Sequence, residues 1–270
     1  MEKLIPNIVS VAGVDPSGGA GVLADLKAMS ALGGYGCAVI AALTAQNTQG
    51  VTGVQAVSAD FVALQLKTLF EDVRIDAVKI GMLSDVDVIK VVAEAIKTYR
   101  PRFVVLDPVM VAKSGDRLLP ESCIETLKSE LLPLATLLTP NLPEAAALVG
   151  EDEITREEDM PALARKLLAM MGPGAWVLVK GGHLSGGDVP DYLTNGEETV
   201  VFNGVRTQTK NTHGTGCTLS SALATLLPQS ESVPEAMKKA KDYISQAIAH
   251  ADELDVGHGH GPVHHFWEKW

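Results

Sequence analysis

The stretch 211–217, NTHGTGC, runs straight into an amphipathic segment over 218–227. Small residues at such a junction let successive backbone N–H groups point into one concavity, and the following helix adds about half a positive charge at its N-terminus. Gly214 and Gly216, with the hydroxyls of Thr212 and Thr215, therefore read as an anion hole ending in Cys217; a plain helix-capping turn would use the same residues. Further polar groups stand directly after apolar runs: GVDPSGGAG at 13–21, TAQN at 44–47, GM at 81–82, DP at 107–108, NLPE at 141–144 and KGGH at 180–183. Two phosphate-binding patterns are missing. The chain contains no G-x-x-x-x-G-K-[ST], and no G-x-G-x-x-G after a strand with an acidic residue about 20 positions on.

Elements must carry these residues to one place. Short runs rich in Val and Ile, at 8–12, 37–43, 77–80, 103–106, 135–138 and 176–179, alternate with segments whose apolar residues recur every three or four positions. Those segments predict helices over 22–32, 60–71, 87–99, 121–131, 161–171, 217–227 and 234–254. This βαβ rhythm, with most strands apolar on both faces, predicts an α/β fold around a parallel sheet. Three further runs, 51–57, 191–195 and 199–202, alternate apolar with polar residues and predict an antiparallel edge or flap. No repeat or linker divides the chain, so 1–270 reads as one domain. Ligands bind beyond the carboxyl ends of parallel strands, so the six polar segments should share one rim.

Composition narrows the function. With 46% apolar and 20% charged residues the chain can build a sizeable core. Its apolar stretches fall short of the roughly 20 residues that span a bilayer, and its start lacks a signal-peptide core, so no membrane association is expected. A net charge of −11 without a basic stripe argues against nucleic acid. Cys37, Cys123 and Cys217 are too few and too scattered for a disulfide framework or a zinc knuckle, which fits a reducing cytoplasm.

Taken together and in order, VDPSGGAGVLAD at 14–25, AQNT at 45–48, KIGM at 79–82, LDPVM at 106–110, KSGD at 113–116, NLPE at 141–144, VKGGH at 179–183 and NTHGTGC at 211–217 carry a family likeness. From about residue 5 onward the chain resembles the ribokinase-like superfamily, and within it the bacterial hydroxymethylpyrimidine/phosphomethylpyrimidine kinases of thiamine biosynthesis. The resemblance implies a three-layer αβα fold with a central, mostly parallel sheet and a small antiparallel flap, assembled as a homodimer. It implies transfer of the γ-phosphoryl group of ATP to 4-amino-5-hydroxymethyl-2-methylpyrimidine, then to its monophosphate. Such transfer needs Mg²⁺, in-line positioning and an electropositive cradle. Gly214, Thr215 and Gly216 would be the cradle. Asp107, Asn141 and Glu144 are suited to the nucleotide and its metal, with Asp107 and Glu144 holding Mg²⁺ through waters. Lys180 matches the family's nucleotide-phosphate position; an ion pair between Asp107 and Lys180 is the purely structural alternative.

On the acceptor side, the Gln46 amide can pair with an aminopyrimidine's ring nitrogen and exocyclic amine. Met82 and Val109 match positions that flank the ring, and Gly13, Asp15 and Ala20 lie in a first loop that allows close approach, although Asp15 could instead cap the next helix. Sugar kinases of the superfamily have an Asp general base where this chain has Cys217, as the pyrimidine branch does. A thiol at a helix N-terminus should have an enlarged thiolate fraction; it could take the hydroxyl proton, orient the substrate, or be inert. His213 is either part of the site or scaffold. The tail HGHGPVHH at 258–265 reads as packing or subunit contact rather than a metal site. The segment 111–119 is a flap candidate. Two other readings stay open: a pyridoxal kinase on this scaffold, because a heterocyclic hydroxymethyl analogue is hard to reject, and a non-catalytic ligand-binding module that lacks the usual Asp.

Overall fold

Strands that must be covered on both faces need apolar side chains at odd and even positions alike, and the central runs supply them. The computed structural model describes residues 4–83, 85–110, 119–187 and 189–270. The flap candidate lies, except for Leu119, outside those residues. In chain order the elements are β1 (Asn7–Val14), α1 (Gly21–Ala31), β2 (Tyr35–Asn47), β3 (Gly50–Ala56), α2 (Ala59–Asp72), β4 (Ala77–Ile80), α3 (Val86–Tyr99), β5 (Phe103–Leu106), α4 (Glu121–Thr126), β6 (Leu137–Leu138), α5 (Leu142–Val149), α6 (Met160–Leu168), β7 (Trp176–Lys180), β8 (Asp191–Thr194), β9 (Thr199–Phe202), α7 (Thr215–Leu226) and α8 (Val233–Ala249). One sheet holds all nine strands in the order β3-β2-β1-β4-β5-β6-β7-β8-β9. The strands β2, β1, β4, β5, β6 and β7 pair in parallel, while β3, β8 and β9 add antiparallel edges.

Alternation along the strands divides the core in two. Val9, Val11, Val78, Ile80, Val104 and Leu106 pack beneath α2 to α6, whereas Ile8, Ala77, Val105 and Leu178 pack beneath α1, α7 and α8. Three layers, helix on sheet on helix, are the result. From β1 the chain leaves to β2 on one side, and after α2 it returns to β4 on the other. The carboxyl ends of β1 and β4 therefore flank a topological switch point, where open α/β sheets bind ligands.

Several boundaries differ from the periodicity. Residues 44–47 do not follow a strand; they lie within β2, which extends to Asn47 as half of the hairpin with β3. The helix expected over 121–131 is α4 followed by a π turn over Leu127–Leu131 and a tight turn over Leu132–Leu134, where Pro133 ends the regular ladder. That shortens the following strand to Leu137–Leu138. Helix α5 was not predicted, since eight mostly apolar residues show no period, yet Asn141 before it and Gly150 after it are ordinary cap signals. The final helix stops at Ala249, short of 254.

The C-terminal tail packs inward. His264 N–H donates to Ala247 O at 2.9 Å, Tyr243 Oη donates to His265 O at 2.9 Å, and His265 Nε2 lies 2.9 Å from Thr218 Oγ1. Burial, aided by Lys27 and His264, pushes the His265 imidazole down to about 3. In the unfolded chain the same ring takes its proton near 6.5, so the unfolded state gains from acid first. Its contribution to stability is complete above pH 6.5 and is lost as pH falls toward 3. Thermal melts of wild type and His265→Gln over pH 4 to 7 should show the steeper acid decline in wild type; parallel curves would refute a neutral buried imidazole. Among the described residues no helix is long and apolar enough to cross a membrane.

Candidate active site

Helix α7 opens the site. Gly214, its N-cap, has φ 76°, and a Cβ there would lie 1.8 Å from Gly19 O, so the glycine is required by conformation and by space. Thr218 N–H donates to Gly214 O at 2.8 Å and Thr215 Oγ1 donates to Thr212 O at 2.8 Å, which fixes the first turn. The amide N–H groups of Gly214, Gly216 and Cys217 have no acceptor among the described residues. A helix start with unpaired amides is an anion site in waiting. A Cβ at Gly216 would sit 3.5 Å from Lys180 Nζ and 3.7 Å from Asp107 Oδ2, so this turn faces both groups.

Asp107 follows β5, and Lys180 ends β7. Lys180 Nζ donates to Asp107 Oδ1 at 3.2 Å, as do Thr139 Oγ1 at 3.2 Å and, to Oδ2, Ser220 Oγ at 3.2 Å. The structural ion pair is thus present, with the Lys180 side chain still 15% exposed. Burial alone would raise the Asp107 carboxyl, but Lys180 and Lys79 hold it below the usual range; burial alone would lower Lys180, but Asp107 and Glu144 raise it. Asn141 and Glu144 form a reciprocal capping box at α5: Glu144 N–H donates to Asn141 Oδ1 and Asn141 N–H donates to Glu144 Oε2, both at 2.9 Å. That local role accounts for their three-residue spacing. Burial pushes the Glu144 carboxyl up to about 7, with Asp107 adding to it and Lys180 opposing. No group of three or more His, Cys, Asp or Glu among the described residues is arranged to hold a metal by itself. Two carboxylates beside a phosphate cradle fit Mg²⁺, which keeps waters and takes phosphate oxygens for the rest of its shell.

The first loop, between β1 and α1, is tied to the anion turn. Asp15 accepts Ser17 N–H and Ser17 Oγ–H at 2.9 Å and Ala20 N–H at 3.0 Å, and its Oδ2 lies 2.7 Å from His213 Nε2. Burial opposes ionisation, yet the bonds from His213 and Ser17 keep this carboxyl below its ordinary value. Asp15 is consumed in shaping the loop, and the N-cap of α1 is Ala20, not Asp15. Gly13 meets Met82, whose Cε lies 2.5 Å from where a Gly13 Cβ would be, so β1 and β4 touch at the switch point. Val109 sits in a tight turn, donating its N–H to Asp107 O at 2.8 Å. Gln46 is half-buried on β2 with its side-chain amide 3.2 Å from Thr44 Oγ1, whose one proton goes to Val14 O at 2.8 Å. The fold thus gathers Asp107, Asn141, Glu144, Lys180, Gly214, Thr215, Gly216, Cys217, Gly13, Asp15 and Ala20 around one rim, and Gln46 joins it through Thr44 and the end of β1.

Cys217 departs from expectation. Burial pushes its thiol up to about 11; Asp25 and Asp107 add to that, and Lys79 and the Gly21 N–H only partly offset it. The thiol is therefore neutral near pH 7, because desolvation with Asp25 and Asp107 outweighs the Lys79 charge and the Gly21 N–H. The thiols of Cys37 and Cys123 are raised by burial as well. Beneath Cys217 is a pair that sequence reasoning did not single out. Lys79 Nζ donates to both oxygens of Asp25 at 3.0 and 2.9 Å, both side chains are 0% exposed, and Ser10 and Ser221 also donate to the carboxylate. Lys79 within an otherwise apolar strand run was the available signal.

Comparison with known proteins bears on the fold and the family. The sequence matches the phosphomethylpyrimidine kinase family over residues 15–264. It is 54% identical over 264 residues to the hydroxymethylpyrimidine/phosphomethylpyrimidine kinase of Escherichia coli strain K12, covering 98% of each chain. Among solved structures it resembles Bacillus subtilis pyridoxal kinase in an ADP complex, at 35% identity and TM-score 0.88 over 97% of this chain and 98% of that one. It also resembles the phosphomethylpyrimidine kinase of Clostridium difficile, at 40% identity and TM-score 0.79 over 91% of this chain and 100% of that one. These likenesses run the length of a ribokinase-like αβα fold, and the chain belongs to the phosphomethylpyrimidine kinase family.

Proposed function

We propose that this kinase moves the γ-phosphoryl group of ATP to the hydroxymethyl oxygen of 4-amino-5-hydroxymethyl-2-methylpyrimidine, and then a second one to the monophosphate, forming the diphosphate for thiamine biosynthesis. One observation carries the reading: the turn that bears the unpaired amides of Gly214, Gly216 and Cys217 brings Gly216 against Lys180 and Asp107. In each transfer an oxygen–phosphorus bond to the acceptor forms and the bond to ADP breaks; in the first the hydroxymethyl proton passes to the transferred phosphate or to solvent after the transfer, and in the second the attacking phosphate oxygen is already ionised and brings no proton. The amides of Gly214, Gly216 and Cys217 hold the migrating oxygens, and Lys180 neutralises the nucleotide phosphates. Asp107 and Glu144 would hold Mg²⁺, which supplies charge neutralisation on the phosphates when bound. Asn141 orients Glu144 through the capping box.

Gln46 recognises the amine and ring nitrogen; Met82 and Val109 cover the ring faces; Gly13 and Ala20 leave room for it. A thiol that is neutral at pH 7 orients the acceptor hydroxyl rather than removing its proton, which a loose transition state retains until late. A pyridoxal kinase activity is the second reading, favoured by the fold match to pyridoxal kinase structures. We further assign the whole chain to one catalytic unit, acting as a cytoplasmic homodimer.

ADP release measured with the pyrimidine, pyridoxal and ribose as acceptors tests this. The pyrimidine should give the highest kcat/KM, pyridoxal less and ribose none; no acceptor-dependent ADP release would exclude the proposal and leave a binding module. Gln46→Ala should raise KM for the pyrimidine by roughly tenfold or more, the effect of leaving a buried polar partner unpaired. Cys217→Ala should mainly lower kcat. Reversal of the two patterns would show that the roles are exchanged.

A further inference from the structure

Thr48 lies two positions beyond Gln46, in the turn between β2 and β3. A hairpin turn has no intrinsic reason to be buried, and Asn47 and Gln49 on either side are exposed, yet Thr48 is only 9% exposed. The C-terminal tail covers it. Gly259 N–H donates to Thr48 Oγ1 at 3.1 Å, and His260 N–H donates to Thr48 O at 2.8 Å. The next residue, Gly261, donates its N–H to Asn211 Oδ1 at 3.0 Å and accepts the His213 N–H on its carbonyl at 3.0 Å. Three consecutive residues thus grip the hairpin at one end and the anion turn, immediately before Gly214, at the other.

This accounts for a motif that the chemistry leaves unused, the alternation of glycine and histidine over 257–261. A Cβ at Gly259 would meet Thr48 O at 2.0 Å, and one at Gly261 would meet Asn211 Oδ1 at 2.4 Å, whereas His258 and His260 are exposed. Backbone spans of one or two residues have nearly fixed length. Transfer between a gripped heterocycle and a cradled phosphate depends steeply on their separation, since a misplacement of about 1 Å can cost 100-fold.

We propose that Thr48 is a positioning residue: by anchoring the strap 259–261 it sets the distance between Gln46 and the amides of the anion turn. The proposal rests on the pyrimidine kinase reading for its kinetic consequence, but not for its structural one. Thr48→Val keeps the shape and removes the acceptor for Gly259 N–H, while Thr48→Ser keeps the acceptor. In Thr48→Val, amide hydrogen exchange over 211–216 should accelerate, kcat with the pyrimidine should fall about tenfold, and KM for ATP should stay within about twofold of wild type. Thr48→Ser should restore the exchange rate and kcat and leave KM for ATP at its wild-type value. Unchanged exchange over 211–216 in the valine variant, equal impairment of both variants, or a uniform loss of every kinetic constant would overturn the proposal. The exchange measurement needs no substrate, so it decides the strap even if wild type fails to phosphorylate the pyrimidine, in which case only the functional reading falls.

Discussion

Gly214→Ala lowers kcat by about two to three orders of magnitude, the range lost when donors to a developing oxyanion are misdirected. The left-handed conformation at Gly214 costs an alanine roughly 1–2 kcal/mol, and its Cβ would lie inside contact distance of Gly19 O. The anion turn and the first loop must separate to relieve this. Three amides then lose their common aim, although none is itself changed. Steady-state kinetics with calorimetric melting checks the result: kcat collapses while the melting temperature drops by only a few degrees. A variant that stays within tenfold of wild type would mean that these amides do not face the transferred group.

Lys79→Met destabilises the protein by about 3–5 kcal/mol, as expected when one member of a buried ion pair is removed. Asp25 would be left as a carboxylate 0% exposed, with only the Ser10 and Ser221 hydroxyls as donors. In a chain of this size that corresponds to a fall in melting temperature of about 10 °C. Burial works against the Lys79 charge, yet Asp25 raises its pKa above the ordinary value, so the Lys79 ammonium stays charged throughout the neutral range. The double variant Asp25→Leu with Lys79→Met should recover much of the loss, because no unpaired charge remains. Loss of less than about 1 kcal/mol in the single variant would show that water reaches Asp25. Lys79 also lowers the Cys217 thiol, so its removal should slow alkylation of Cys217 at a fixed pH above 9.

The order of strands and helices, the parallel core and the rim of polar residues were legible because each depends on neighbours a few positions apart. The largely apolar runs at 8–12 and 77–80, the cap at Asn141 and the glycines before α7 are each set by neighbouring residues. What required the tertiary structure is set by residues far apart in sequence: Asp25 with Lys79 across 54 positions, Asp15 with His213 across 198, Gly259 with Thr48 across 211. No periodicity encodes such pairings, since strand order chooses the partners. The Cys217 thiol makes the same point. Its place at a helix start could be read from the sequence and argued for a low pKa, but desolvation and the nearby Asp25 and Asp107, brought in by the assembled layers, push the thiol up instead.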